Sequence, residues 1–183
     1  MLVAVVGPSG AGKDTLMAGA RARIGPDGRF RFVRRSITRP ALAGDGEDHE
    51  PIGRDAFFRR RDTGGFALWW EAHGRLYGIP RDIDSDLAAG RCVVANLSRG
   101  VLAEAAPRYP LLVLEVIAPA AVLAARLAAR GREEPEAVAA RLARAAPLPS
   151  ALHVRRVVND GSMEAGTAQI VRALLDAAEG RAA

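Results

Sequence analysis

Five consecutive apolar residues, Leu2-Val3-Ala4-Val5-Val6, run straight into Gly7-Pro8-Ser9-Gly10-Ala11-Gly12-Lys13-Asp14-Thr15. A run that is apolar at every position and mostly β-branched suits a strand buried on both faces, as in the centre of a parallel sheet. Leu16-Met17-Ala18-Gly19-Ala20 continues as a helix. Strand, glycine loop and helix in that order are the setting that a Gly-x-x-x-x-Gly-Lys phosphate loop requires. The glycines let successive backbone N–H groups turn inward, and the helix N-terminus adds partial positive charge, so residues 7 to 15 wrap a polyphosphate. Lys13 reaches its β- and γ-phosphates. Of the 26 lysine and arginine residues, Lys13 is the single lysine. A compact ammonium on a flexible stem fits a crowded phosphate cradle, and a planar guanidinium does not.

The position after the lysine departs from the pattern. Ser or Thr there would touch Mg²⁺ through a hydroxyl; this chain has Asp14, with Thr15 next. A carboxylate is a harder and stronger ligand, and negative charge so near a triphosphate makes sense with a cation between them. Asp14 is therefore the expected metal ligand, directly or through water. The alternative is that it only complements the helix dipole in the first turn.

A chain of 183 residues suits one domain with a full core and small inserts. A net charge of +5 attracts anions, but the arginines are dispersed and form no basic tail, so no nucleic-acid partner is expected. The single cysteine, Cys92, lies in an apolar run, excludes an internal disulfide and reads as a buried core residue in a reducing cytoplasm. No secretory signal is visible. The apolar stretch Leu111 to Ala125 is interrupted by Glu115 and Pro119, too broken for a membrane span.

After the first helix, Gly25-Pro26-Asp27-Gly28 turns the chain into a short strand over Phe30 to Val33. Residues 35–80 change character: rich in Gly, Arg, His and aromatics, with helical periodicity only over Asp55 to Arg61, they read as an insert facing a ligand. Beyond it strand and helix alternate. Helices are expected over Ile83 to Ala89, Arg99 to Ala106 behind a Ser98 cap, Pro119 to Arg130, Pro135 to Pro147 and Ser162 to Glu179. Strands are expected over Cys92 to Asn96, Leu111 to Ile117 and His153 to Val158. Five buried strands alternating with helices mean an α/β fold: a five-stranded parallel sheet with helices on both faces and ligands at the carboxyl ends of its strands.

Four constellations carry further chemistry. Arg35-Ser36-Ile37-Thr38-Arg39 offers two guanidinium groups and two hydroxyls just after a strand, suited to gripping a phosphate, or else to an exposed polar loop. Glu47-Asp48-His49-Glu50 surrounds a histidine with carboxylates; contact with sugar hydroxyls and metal ligation are both open, although the spacing of a closed metal site is missing. In the aromatic stretch 65–80, some side chains must be core, and His73 and Tyr77 are the two expected to face the ligand. Arg59-Arg60-Arg61 reads as a solvated helix face. Arg126, Arg130, Arg132, Arg141 and Arg144 bracket Gly131 to Pro135 as in a hinged lid over about 127–145, bringing cations to a transferring phosphoryl group. Arg130 also has a purely structural reason, a cation at a helix C-terminus.

Nearly the whole chain resembles the guanylate-kinase-like branch of the P-loop kinases. The matching marks are the loop at 7–13, Ser36-x-Thr38-Arg39, Tyr77-Gly78, Arg126-Leu127-x-x-Arg130-Gly131, Arg141-Leu142 and Val158-Asn159-Asp160. That resemblance implies a core of 1–34 and 81–183, an acceptor-binding insert and an arginine lid. It implies catalytic roles for Lys13, Arg126, Arg130 and Arg141, and nucleotide contacts from the loop and Asn159. Leu68 stands where guanylate kinases carry a guanine-reading Glu, and Ala95-Asn96-Leu97-Ser98 stands where they carry Leu-Asp-Ile-Asp. Guanine donors left unpaired against a leucine would cost about 1–3 kcal/mol each.

A narrower likeness is to the ribose 1,5-bisphosphate phosphokinase family. It rests on Gly12-Lys13-Asp14, Ile37-Thr38-Arg39-Pro40, Glu47-Asp48-His49, Phe66-Ala67-Leu68, Ala72-His73-Gly74, Asn96-x-Ser98-Arg99 and Asn159-Asp160-Gly161-Ser162. Leu97 departs, since the family usually has Gly there. The likeness implies ATP and Mg²⁺ as cofactors and 5-phosphoribosyl 1-diphosphate as product. It also implies substrate contacts from Arg35, Ser36, Thr38, Arg39, Glu47, His49, His73, Tyr77, Asn96 and Arg99. A phosphate-monoester acceptor is largely dianionic near neutrality, with a second pKa of about 6, and needs no general base. Two alternatives stay open: a nucleoside monophosphate kinase with altered base choice, and an inactive interaction module. The expected partners are a small sugar phosphate and ATP; a homodimer is compatible with the sequence.

Overall fold

The structure is a computed structural model that describes residues 1–40, 47–128 and 148–181. Beyond Ala128 the expected lid, with its Pro135 to Pro147 helix, lies outside these residues. Strand β1 (Leu2–Val6) is fully buried and is followed, across the glycine loop, by α1 (Lys13–Ile24). β2 (Phe30–Phe32), β7 (Cys92–Asn96), β8 (Leu111–Ile117) and β9 (His153–Val158) join β1 in one parallel sheet, in the order β2-β7-β1-β8-β9. Placing β1 in the middle buries both its faces, which its unbroken apolar run demands.

The period-two alternation of β1 sorts the core into two layers. Val3 and Val5 pack with Leu16 and Ala20 of α1, Leu123 of α5 (Ala120–Ala128), and Ile170 and Leu174 of α6 (Met163–Ala178). Leu2, Ala4 and Val6 pack on the opposite face with Ile83 of α3 (Ile83–Ala88) and Leu102 of the short α4 (Leu102–Ala105). A 3₁₀ turn, Arg99–Val101, precedes α4, and the Ser98 hydroxyl caps it by accepting from the Gly100 N–H. Cys92 is buried, and desolvation pushes its thiol up to about 11.

The stretch 35–80 holds a second sheet that periodicity did not reveal. β3 (Ser36–Ile37), β4 (Glu50–Pro51), β5 (Phe66–Ala72) and β6 (Arg75–Pro80) lie in the order β4-β3-β6-β5. Two of these strands are two residues long, too short for a pattern. The hairpin β5–β6 turns through His73 (φ 53) and Gly74 (φ 68), two positive values in a two-residue loop flanked by the Ala72–Arg75 pair. That is a type I′ turn, whose first position histidine tolerates and whose second suits glycine. On the hairpin Leu68 pairs with Ile79 and Trp70 with Tyr77, and Leu68, Trp70 and Ile79 join the core layer beneath. Helix α2 (Arg54–Asp62) closes a small separate cluster of Phe57, Phe66 and Leu76. No helix among the described residues is long and apolar enough to cross a membrane.

Candidate active site

The glycine loop leaves the end of β1 at the carboxyl edge of the sheet. Gly7, at φ 149, passes so close to β8 that a Cβ there would lie 2.2 Å from the Val116 carbonyl oxygen. Gly12, at φ 87, would bring a Cβ to 2.4 Å from Asn159 Nδ2. Both positions need glycine for space as well as for backbone conformation. The Lys13 ammonium folds back over the loop and donates to the carbonyl oxygens of Gly7 (2.8 Å) and Pro8 (3.1 Å). Burial pushes its pKa down to about 8; neighbouring Asp14 opposes that, and the fields of Arg35 and Arg99 add to it. A cation strained in this way gains most from a polyphosphate.

Asn159 lies under the loop. Its Nδ2 donates to the Ala11 carbonyl oxygen at 2.7 Å, its own N–H donates to Ile117, and it is buried. Arg126 Nη1 donates to the Asn159 carbonyl oxygen at 3.1 Å and lies 3.9 Å from where a Gly12 Cβ would stand. The structure thus brings Arg126 beside the loop, while the Asn159 amide is spent on holding the loop up. Arg130 and Arg141 lie outside the described residues.

A cavity of about 260 Å³ opens over the loop, lined on one side by Ser9, Lys13 and Thr15 and on the other by Arg35, His73 and Tyr77. A second, of about 560 Å³, lies beside α1. Asp14, Arg35 and Asn96 line both. Asn96 Nδ2 donates to Asp14 Oδ1 at 2.6 Å. Arg35 is buried; its Nη2 lies 2.6 Å from Glu47 Oε1, and its guanidinium lies over the rings of Tyr77 and Trp70, which are stacked 5.3 Å apart.

Asp14 presents a hard oxygen to the loop cavity with Thr15 beside it. Mg²⁺ is commonly held by one or two carboxylates, substrate phosphates and water, so a lone carboxylate fits it. Among the described residues no three His, Cys, Asp or Glu side chains are grouped to hold a metal by themselves.

Several expected contacts are used differently. The Ser36 hydroxyl is fully buried and donates to Glu50 Oε2 at 2.5 Å, so it does not face the cleft. Thr38 Oγ1 accepts from the Leu76 N–H at 2.8 Å. Glu47 holds Arg35 and stands 3.6 Å from Arg39, and Asp48 pairs with Arg21 and Arg34, so no carboxylate of this cluster forms a metal centre. His49 is buried, with its ring nitrogens 3.2 Å from the Arg39 and Glu47 carbonyl oxygens, a strut inside the insert rather than a group on the cleft. Arg99 pairs with Glu115 at 2.9 Å, and Glu115 also receives Arg156 at 3.3 Å. The solvated reading of 59–61 fails in part. Arg60 joins Glu50 at 2.8 Å and covers the Phe66 ring, and Arg61 covers Phe58 and Trp69. Trp70, which also lines the loop cavity, was missed as a site residue.

The loop, the parallel sheet and the flanking insert define the class: an α/β P-loop kinase of guanylate-kinase-like architecture. Among solved structures, guanylate kinase from Anaplasma phagocytophilum superposes with a TM-score of 0.69 at 17% identity, over 97% of this chain and 85% of that one. A gluconokinase from Sinorhizobium meliloti 1021 superposes with a TM-score of 0.53 at 20% identity, over 97% and 93%. No family model matches the chain.

Curated relatives are nearer in sequence. Ribose 1,5-bisphosphate phosphokinase PhnN of Pseudofrankia inefficax is 49% identical over 177 residues, 96% of this chain and 91% of the relative. Its namesake in Acidiphilium cryptum is 51% identical over 174 residues, 95% and 92%. The bifunctional ribose 1,5-bisphosphokinase-thymidine phosphorylase of Azorhizobium caulinodans is 52% identical over 173 residues; this chain spans only 25% of its length. The chain belongs to the ribose 1,5-bisphosphate phosphokinase family.

Proposed function

We propose that the protein transfers the γ-phosphoryl group of ATP to the 1-phosphate of ribose 1,5-bisphosphate, giving 5-phosphoribosyl 1-diphosphate and ADP. The observation that carries the acceptor choice is the hairpin over the cleft. Where a base-reading pocket needs carboxylates, it has the Leu68–Ile79 and Trp70–Tyr77 pairs, with Arg35 laid across the aromatic stack. Leu68 and Ile79 are fully buried and offer a base nothing to bond. Arg35 offers a phosphate a charge-assisted, bidentate partner. The curated names of the relatives agree with this choice.

In this reading the backbone of residues 7–15 and Lys13 hold the ATP phosphates, and Arg35, Arg39, His73 and Tyr77 surround the acceptor. Asp14, with Thr15, would hold Mg²⁺, which would neutralise charge on the ATP phosphates. The acceptor oxygen is already anionic, so no side chain has to remove a proton. Arg126, joined by Arg130 and Arg141, supplies positive charge where negative charge spreads in the transition state.

The test is ADP release with ATP and Mg²⁺ over a panel of sugar phosphates and nucleoside monophosphates. Ribose 1,5-bisphosphate should be turned over, with GMP poorer by orders of magnitude, since each guanine donor left unpaired costs about 1–3 kcal/mol. Equal or better turnover of GMP would overturn the proposal and leave a nucleoside monophosphate kinase. Failure of every acceptor would favour the inactive module.

A further inference from the structure

We infer that Asn96 is a positioning residue that aims the Asp14 carboxylate at the metal, rather than a ligand of the acceptor. The inference rests on the reading of Asp14 as the Mg²⁺ ligand. Asn96 is the last residue of β7 and sits in register with Val5, so it is fixed at the rim of the sheet beside the start of the loop. It is 6% exposed, and its amide spans 82 residues of sequence to reach Asp14 Oδ1 at 2.6 Å. Asp14 itself stands on the first turn of α1, where its side chain has rotamer freedom that a strand-end anchor removes. Groups that orient a metal-binding carboxylate by hydrogen bonding tune its affinity although they never touch the ion.

The residue type follows from the same geometry. A carboxylate at position 96 would put like charge against Asp14 at hydrogen-bond distance and would itself be a second hard ligand for a cation. An amide of the same shape donates to one oxygen of Asp14 instead and adds no charge of its own. Because Asn96 and Asp14 both line the two cavities, the pair forms part of the wall between them.

The experiment is an electron paramagnetic resonance titration of Mn²⁺ into the protein, alone and with a non-hydrolysable ATP analogue. Wild type is compared with Asp14→Ala, Asn96→Leu and Asn96→Asp, each checked by thermal melting. Asp14→Ala and Asn96→Leu should weaken Mn²⁺ in the nucleotide complex, the latter by about 10-fold, within the 10–100-fold range for outer-shell changes. Asn96→Asp should bind Mn²⁺ more tightly than wild type without nucleotide. In turnover, Asn96→Leu should raise the Mg²⁺ concentration needed for half-activation while the acceptor KM at saturating Mg²⁺ stays put. Unchanged Mn²⁺ affinity in Asn96→Leu alone, or a changed acceptor KM at saturating Mg²⁺, would overturn the inference. Unchanged affinity in Asp14→Ala would overturn the metal reading and this inference with it. Should Asn96→Leu fail to fold, weaker nucleotide-free Mn²⁺ binding by Asn96→Asp would overturn it.

Discussion

The phosphate loop and the acceptor-facing hairpin lie on opposite sides of one cleft and are built by different means. The loop uses backbone: glycines that admit close passage of β8 and Asn159, inward N–H groups, and a single lysine. The hairpin side uses paired side chains, with Glu47 binding Arg35 and standing near Arg39, and Glu50 binding Ser36 and Arg60. Phosphate is the same in every nucleotide, so a backbone cradle serves any of them. Choosing an acceptor requires side chains, and buried guanidinium groups must be paired to be tolerated there. Generic chemistry is therefore local in sequence and specific chemistry is assembled from afar.

Substitutions on the two sides should separate along that line. The largest effect is expected from Lys13→Met: turnover should fall by about 10²–10³, the cost of removing one transition-state charge, with little change in melting temperature. A variant that melts early but turns over normally would make the lysine structural and erase the contrast. Glu47→Ala should do the reverse, lowering stability by about 3–5 kcal/mol in urea denaturation because Arg35 loses its partner in a buried setting. ATP affinity should be nearly untouched, and adding Arg35→Leu should restore part of the stability. Full stability of Glu47→Ala would show that the insert does not depend on its ion pairs.

Asn159→Ala leaves the Ala11 carbonyl oxygen without its amide and should weaken ATP binding by about 1–3 kcal/mol, read by nucleotide titration. The pH dependence sharpens the role of Lys13, whose pKa is held near 8. The ammonium is charged below that value and neutral above it, and bound phosphate raises its pKa. Affinity should therefore fall as pH rises from about 8, by at most tenfold per unit, and Lys13→Met should lack that slope. The smallest effect concerns Cys92, whose buried thiol sits near 11. At pH 8 its alkylation should follow opening of the fold and slow further when ATP is added.

The parallel sheet was readable because each strand is a continuous apolar run and each helix has its own start and stop residues. Strands over 2–6, 92–96, 111–117 and 153–158 match the residues that pair. The second sheet was not readable. β3 and β4 span two residues each; among the described residues β4 pairs only with β3, and β3 reaches β6 some forty residues on. Ser36 and His49 were credited with substrate contacts because a hydroxyl or imidazole suits that work. Their burial against Glu50 and Arg39 is a fact of neighbours, which composition does not carry.

By itself the sequence determined the phosphate loop, since nine contiguous residues carry their own geometry and Lys13 is unmistakable among the arginines. It also determined the sheet's class through apolar runs whose burial is a property of the segment. Only the tertiary structure decided which carboxylate each arginine meets, that Trp70 and Tyr77 stack beneath Arg35, and that Asn96 reaches Asp14. Asn96 and Asp14 are 82 positions apart, and Arg35 lies far from Tyr77 in the chain. Their partners are selected by distance in space, and a charged side chain carries no local mark of which opposite charge the fold will bring to it.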